Sequence, residues 1–103
     1  MMRRIGGFAG RIADRFSPLK IILFGSHARG QGGPESDVDL LVITDTPPGP
    51  DASLNIRRHV ACDFPVDILV YDVHRLAQRI AEGDFFLQDA LQEGKVLYER
   101  SGR

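Results

Sequence analysis

The chain has 103 residues, enough for one domain spanning 1–103 and too few for a second core. Hydrophobic residues make up 43% and charged residues 26%, a globular balance that excludes a disordered or fibrous chain. Thirteen basic against fourteen acidic side chains leave a net charge of −1, which gives no field for binding nucleic acid or a membrane surface directly.

Eleven of the thirteen basic residues are Arg, a bias that genome composition explains as well as a use for planar guanidinium forks. The single cysteine, Cys62, excludes an internal disulfide. No apolar run approaches the ~20 residues that span a bilayer. The start, MMRRIGGFAGRIADRF, lacks the apolar centre of a secretory signal, and Asp14 with three glycines speaks against a mitochondrial presequence. The expected location is the cytoplasm.

Along the chain, Ile5, Phe8, Ile12 and Phe16 recur at helical spacing and predict an amphipathic helix over 5–16, despite Gly6, Gly7 and Gly10. Ser17-Pro18 ends it. Lys20–Phe24 is a short apolar run between breakers and predicts a buried strand. Residues 25–35 hold four glycines and a proline and predict a loop with at most one helical turn inside it. Val38–Thr44 predicts a second strand. After the break at Thr46–Pro50 come a helix over 53–62 and a third strand, Pro65–Tyr71, with the proline tolerated at the strand start. Two short helices are predicted over 73–82 and 84–93, with Asp84 as N-cap and Gly94 as the residue just past the C-terminus. Lys95–Glu99 predicts a last short strand. This order describes an α/β (α+β) fold, a small mixed sheet with helices packed on it.

Aspartate is depleted in strands, yet Asp37 and Asp39 lead directly into an apolar strand. Residues two apart on a strand share a face, which puts the two carboxylates side by side about 7 Å apart at the backbone. Two like charges beside a core are costly unless a cation sits between them, and hard Mg²⁺ takes carboxylate oxygens while keeping waters or substrate phosphates. Asp67 repeats the anomaly on the third strand. Its place inside an apolar run implies partial burial, and neighbouring strands would bring it to the same metal site. The plainer alternative has Asp37 capping the loop while Asp39 and Asp67 pair with arginines.

Upstream, Gly25 permits a tight turn at the end of the first strand, and the residues after it can offer N–H groups to an anion. The Ser26 hydroxyl adds a donor and Arg29 a charged fork. Together these parts suit a nucleoside triphosphate. His27 reads as an ordinary loop histidine, and His59 and His74 as helix-surface residues.

The combination Gly25-Ser26-x10-Asp37-x-Asp39 with Asp67 resembles the DNA polymerase β-like nucleotidyltransferase superfamily. The wording GSHARG…ESDVDLLV…VDILVYD…EGKVLYE is similar to its minimal nucleotidyltransferase branch, and the likeness runs from Lys20 to Glu99. The resemblance implies the nucleotidyltransferase fold and an antitoxin in a two-gene module whose toxin is an all-helical HEPN-family ribonuclease. It also implies transfer of AMP from ATP to a tyrosine hydroxyl of that toxin, with two Mg²⁺ ions. By the same resemblance Asp37 and Asp39 bind both metals. Asp67 joins one metal and serves as general base. Gly25 and Ser26 hold the β and γ phosphates, with Arg29 assisting.

Larger relatives grip the acceptor with a second domain. This site is therefore expected to stand open on one side and to be completed by a partner. Phe85, Phe86 and Leu87 are consecutive on a helix and cannot all face one small sheet, so the readings are one of them at an interface or, equally, ordinary core packing. Two alternatives stand beside the enzyme reading: an antitoxin that neutralises its partner by contact alone, and nucleotidyl transfer to a small molecule.

Overall fold

The computed structural model describes residues 1–101. A helix, Met2–Phe16 (α1), leads into strand Lys20–Phe24 (β1) and, after a loop, strand Val38–Thr44 (β2). Helix Ala52–His59 (α2) crosses to strand Val66–Asp72 (β3), followed by helices Val73–Ala81 (α3) and Phe85–Glu93 (α4) and strand Lys95–Glu99 (β4). The four strands form one mixed sheet in the order β3-β2-β1-β4. β1 pairs antiparallel with β2 and β4, and β2 runs parallel to β3. The predicted α/β arrangement is the observed one. No helix among the described residues is long and apolar enough to cross a membrane.

Each face of the sheet has its own core. Ile5, Phe8 and Ile12 of α1 and Ile56 of α2 pack against Ile21, Leu23, Leu40, Val42 and Ile68 on one face. Leu76 of α3 and Leu87 and Ala90 of α4 pack against Ile22, Phe24, Leu41 and Ile43 on the other. Both central strands are therefore covered on both sides, which is why β1 and β2 read as continuous apolar runs rather than alternating ones. The alternation survives in the facing. Odd-numbered residues of β2 and β3 point toward α3 and α4, and even-numbered residues toward α1 and α2.

The glycines of α1 lie away from its buried stripe, and nothing stands within 4 Å of a side chain added at Gly6 or Gly10. Glycine in a helix interior costs about 0.5–1 kcal/mol against alanine, so burial of the stripe outweighs it here. Gly10→Ala should recover that amount and raise the thermal midpoint by several degrees, at about 4–8 °C per kcal/mol in a domain this size. An unchanged or lowered midpoint in a melting experiment would contradict the outward placement.

Several boundaries differ from expectation, and α1 already begins at Met2 rather than at residue 5. α2 stops at His59 instead of reaching Cys62, because Val60 turns extended (φ −128°, ψ 113°) and buries its side chain in the first core. Pro65 lies just before β3, where its carbonyl accepts a bond of 2.9 Å from the Val38 N–H. β3 in turn gains Asp72, whose side chain accepts from the Arg75 N–H at 2.9 Å and caps α3. Asp84 caps α4 as predicted, accepting from the Leu87 N–H at 3.0 Å. Gly94 is not in the left-handed conformation expected past a helix end (φ −76°). Close approach explains it instead: a Cβ there would meet the Ala90 carbonyl oxygen at 2.3 Å and Ile22 Cγ2 at 2.5 Å.

Candidate active site

β1 ends where Phe24 faces Asp39 across the antiparallel pair, and the chain then turns at Gly25 with φ +77°. A side chain at Gly25 would stand 2.3 Å from Asp39 Oδ2, so glycine is required both by conformation and by the carboxylate beside it. Residues 26–31 form one helical turn. Gln31 N–H reaches the Ser26 carbonyl at 2.9 Å and Gly30 N–H the His27 carbonyl at 3.3 Å, the Schellman closure, with Gly30 at φ +75°. Among the described residues, the Ser26 and His27 N–H groups at the start of this turn take no part in its bonds, as the first N–H groups of a helical turn do not.

The loop returns to β2 under the control of His27. This side chain is 7% exposed, and its Nε2–H donates to the Ser36 carbonyl at 3.1 Å, one residue before Asp37. Gly32 lies against the ring so closely that any Cβ there would overlap it. His27 is thus the loop histidine expected, and its burial makes it a clasp for the loop. His27→Leu leaves the Ser36 carbonyl without its donor, at a cost of about 1–3 kcal/mol. Chemical denaturation should register that loss, and an unchanged midpoint would show that the bond stabilises nothing.

Asp39 and Asp67 are register partners on the parallel strands β2 and β3, so they share one face about 4.8 Å apart at the backbone. Asp37 stands just before β2, two residues from Asp39. Burial lifts the Asp39 carboxyl above its ordinary value, and the charges of Asp67 and Asp37 push the same way, against His27 and Arg29. Three carboxylates therefore feel one another at this end of the sheet. Asp37 and Asp39 have no ion-pair partner among the described residues, which disfavours the arginine-pairing alternative for Asp39. Asp67 has a loose one, Arg57 at 3.9 Å.

Asp67 is not partly buried as its apolar surroundings implied. Its side chain is 64% exposed, because β3 is an edge strand and Asp67 sits at its open end. Among the described residues no three His, Cys, Asp or Glu groups are already gathered closely enough to hold a metal. The donor set still fits a hard divalent cation. It is all oxygen, it carries unneutralised like charge, and Mg²⁺ fills its remaining positions with water or phosphate rather than with a full protein cage.

A cleft of about 220 Å³ opens between this sheet end and α4. Gly25, Arg29 and Asp39 line one wall with Phe24, and Phe86, Asp89 and Glu93 of α4 line the other. Of the six expected site residues, Gly25, Arg29 and Asp39 thus border the cleft directly. Ser26 follows Gly25 in the turn, and Asp37 and Asp67 flank Asp39 outside the cleft wall. Nothing local in the sequence marks the α4 wall. The i, i+3, i+7 spacing of Phe86, Asp89 and Glu93 shows that they share a helix face, but not what that face meets. As for the aromatic run, Leu87 is buried while Phe85 and Phe86 are 79% and 59% exposed.

Comparison with known proteins agrees with this geometry. The sequence profile of the nucleotidyltransferase domain matches residues 5–97. A Methanocaldococcus jannaschii protein named as a putative protein adenylyltransferase is 33% identical over 79 residues, 77% of each chain. The fold is similar to that of a putative nucleotidyltransferase from Sulfolobus solfataricus (TM-score 0.63, 19% identity, 97% of this chain and 81% of that one). It is also similar to a chain of a toxin–antitoxin structure solved with AMP-PNP (TM-score 0.69, 21% identity, 93% and 74%). A chain of a mutant MntA–HpeT toxin–antitoxin structure matches over the same shares (TM-score 0.67, 18% identity). With its profile match over nearly the whole length and its carboxylates gathered beside a glycine turn, the chain belongs to the nucleotidyltransferase domain family.

Proposed function

We propose that this chain is a single-domain protein adenylyltransferase that moves AMP from Mg-ATP to a hydroxyl of a partner toxin. The acceptor is a tyrosine of an all-helical HEPN-family ribonuclease, and the chain is the antitoxin of that pair, working in the cytoplasm. The observation that carries the reading is the placement of Asp37, Asp39 and Asp67 at one sheet end, against the Gly25 turn. The adenylyltransferase name of the archaeal relative and the toxin–antitoxin setting of two fold neighbours support the substrate and the partner.

Each residue has work suited to its position. Asp37 and Asp39 would hold two divalent ions, and Asp67 one of them. Such ions, when bound, supply charge neutralisation on the triphosphate and at the entering and leaving oxygens. The turn that Gly25 permits offers the Ser26 and His27 N–H groups and the Ser26 hydroxyl to the β and γ phosphates, and Arg29 adds its guanidinium. The acceptor oxygen attacks the α-phosphorus in line. A new O–P bond forms as the bond to pyrophosphate breaks, and the hydroxyl proton passes to the exposed Asp67 carboxylate, which is free to meet a group arriving from outside.

The test is incubation of the partner with ATP, Mg²⁺ and this chain, read by mass spectrometry. One or more added AMP masses are expected, and none with the Asp37→Ala plus Asp39→Ala variant, which should also fail to protect cells. Asp67→Asn should keep most nucleotide binding and lose about 10²-fold or more in single-turnover transfer. Full protection by the double variant would make contact alone the mechanism.

A further inference from the structure

We infer that the α4 wall of the cleft is a nucleobase subsite, in which the Phe86 ring seats the base of the incoming nucleotide and Asp89 selects a base with an exocyclic amine. The inference rests on the nucleotide-transfer reading and extends it to the substrate's other end.

The two walls of the cleft differ in chemistry. Among the described residues Arg29 is its only lining cation, and it stands on the wall with Gly25 and Asp39. The α4 wall offers two carboxylates, Asp89 and Glu93, and an aromatic ring. Such a wall repels phosphate and accepts N–H or O–H donors, so the polyphosphate belongs at the Gly25 side and the nucleoside at the α4 side. The volume agrees. About 220 Å³ is below the ~300–1,000 Å³ of sites that enclose a whole drug-sized ligand, so the cleft takes part of a nucleotide, one ring system on the α4 side, with the polyphosphate leaving along the Gly25 side.

Phe86 is prepared for stacking. Its ring stands edge-to-face on Phe24, with centroids 5.4 Å apart and planes at 88°, yet it is 59% exposed. Phe24 is itself buried at the end of β1, the residue before Gly25 and the register partner of Asp39. One strand end therefore fixes the ring, the glycine turn and the carboxylate relative to one another. Asp89 lies one helical turn beyond Phe86 on the same helix face. There its carboxylate can accept from an amino group such as the adenine 6-amine, and would repel a 6-oxo oxygen in the same place.

Titration calorimetry of the purified chain with Mg²⁺ and each of ATP, ITP and inorganic tripolyphosphate tests this. The native chain should bind ATP more tightly than ITP, and ITP more tightly than tripolyphosphate. Phe86→Ala should weaken ATP by about ten-fold or more, the loss expected for one stacked base, and leave tripolyphosphate unchanged. Phe86→Tyr should restore ATP binding. Asp89→Asn should erase the preference for ATP over ITP without weakening tripolyphosphate. Equal loss of ATP and tripolyphosphate in Phe86→Ala, or ATP binding unaffected by it, would overturn the subsite and leave the nucleotide-transfer reading standing. No binding of either ATP or tripolyphosphate to the native chain would overturn both.

Discussion

Asp39→Asn is expected to stop transfer and, at the same time, to make the ligand-free protein more stable. The two effects have one origin. Burial, Asp67 and Asp37 all disfavour the ionised form of this carboxyl, and lift it from its ordinary value of 3.8. A carboxyl raised in the folded state weakens folding as pH climbs through that interval, and the penalty is fully present at neutral pH. Asparagine removes the charge and with it the penalty. The stability gain of the variant should therefore be largest near neutrality and fade as pH falls into the carboxylate range. Function moves the other way. Mg-ATP, bound only by the folded state, should raise the native midpoint by mass action, about 2.7 kcal/mol at a hundred times its Kd. The variant should lose most of that shift, together with about 10³-fold in transfer, the scale on which one lost electrostatic stabiliser slows an enzyme. Thermal melts across pH, with and without Mg-ATP, measure both. A variant that melts below the native protein at neutral pH would refute the repulsion. One that still responds fully to Mg-ATP would take Asp39 out of the nucleotide site.

Asp39 shows what a linear reading can reach. Strand, facing and carboxylate pair all follow from alternation and from the misfit of aspartate with an apolar run, and these are local properties. Asp67 marks the limit. Its neighbours Val66 and Ile68 are buried, so the run reads as a covered strand. Only the sheet order shows that β3 is an edge and that Asp67 faces solvent. The burial of His27 is hidden in the opposite direction. A segment with four glycines reads as open loop, and nothing local reveals that the loop folds back so that Ser36 meets a buried imidazole. The α4 wall is a third kind of case. Phe86, Asp89 and Glu93 come to line the cleft because α4 packs on β1, the strand that ends at Gly25. That juxtaposition joins segments some sixty residues apart. Each of these differences is a tertiary fact: the exposure of one carboxylate, the burial of one loop side chain and the packing of one helix.

Gly25→Ala is expected to disable the site while largely sparing the fold. Two costs arise from one methyl group. The first is conformational: at φ +77° an L-residue pays about 1–2 kcal/mol for the left-handed region. The second is a collision, since the new Cβ would lie 2.3 Å from Asp39 Oδ2 and 3.3 Å from its Cγ, but at an ordinary 3.5 Å from its Cβ. The obstructing atoms are the end of a rotatable side chain, so the cheapest relief is to swing the carboxylate away while the backbone stays. That relief moves the carboxylate to which the proposed chemistry assigns the metal ions, and a displacement of about 1 Å at a reacting centre can cost about 10² in rate. Gly30→Ala separates the two costs. Gly30 has nearly the same backbone conformation, φ +75°, yet nothing stands within 4 Å of its added Cβ. Both variants should lose similar stability in chemical denaturation, about 1–2 kcal/mol. Transfer should fall about 10²-fold in Gly25→Ala alone and stay within a few-fold of native in Gly30→Ala. Equal activities in the two variants would show that the contact between Gly25 and Asp39 does not govern the carboxylate's position.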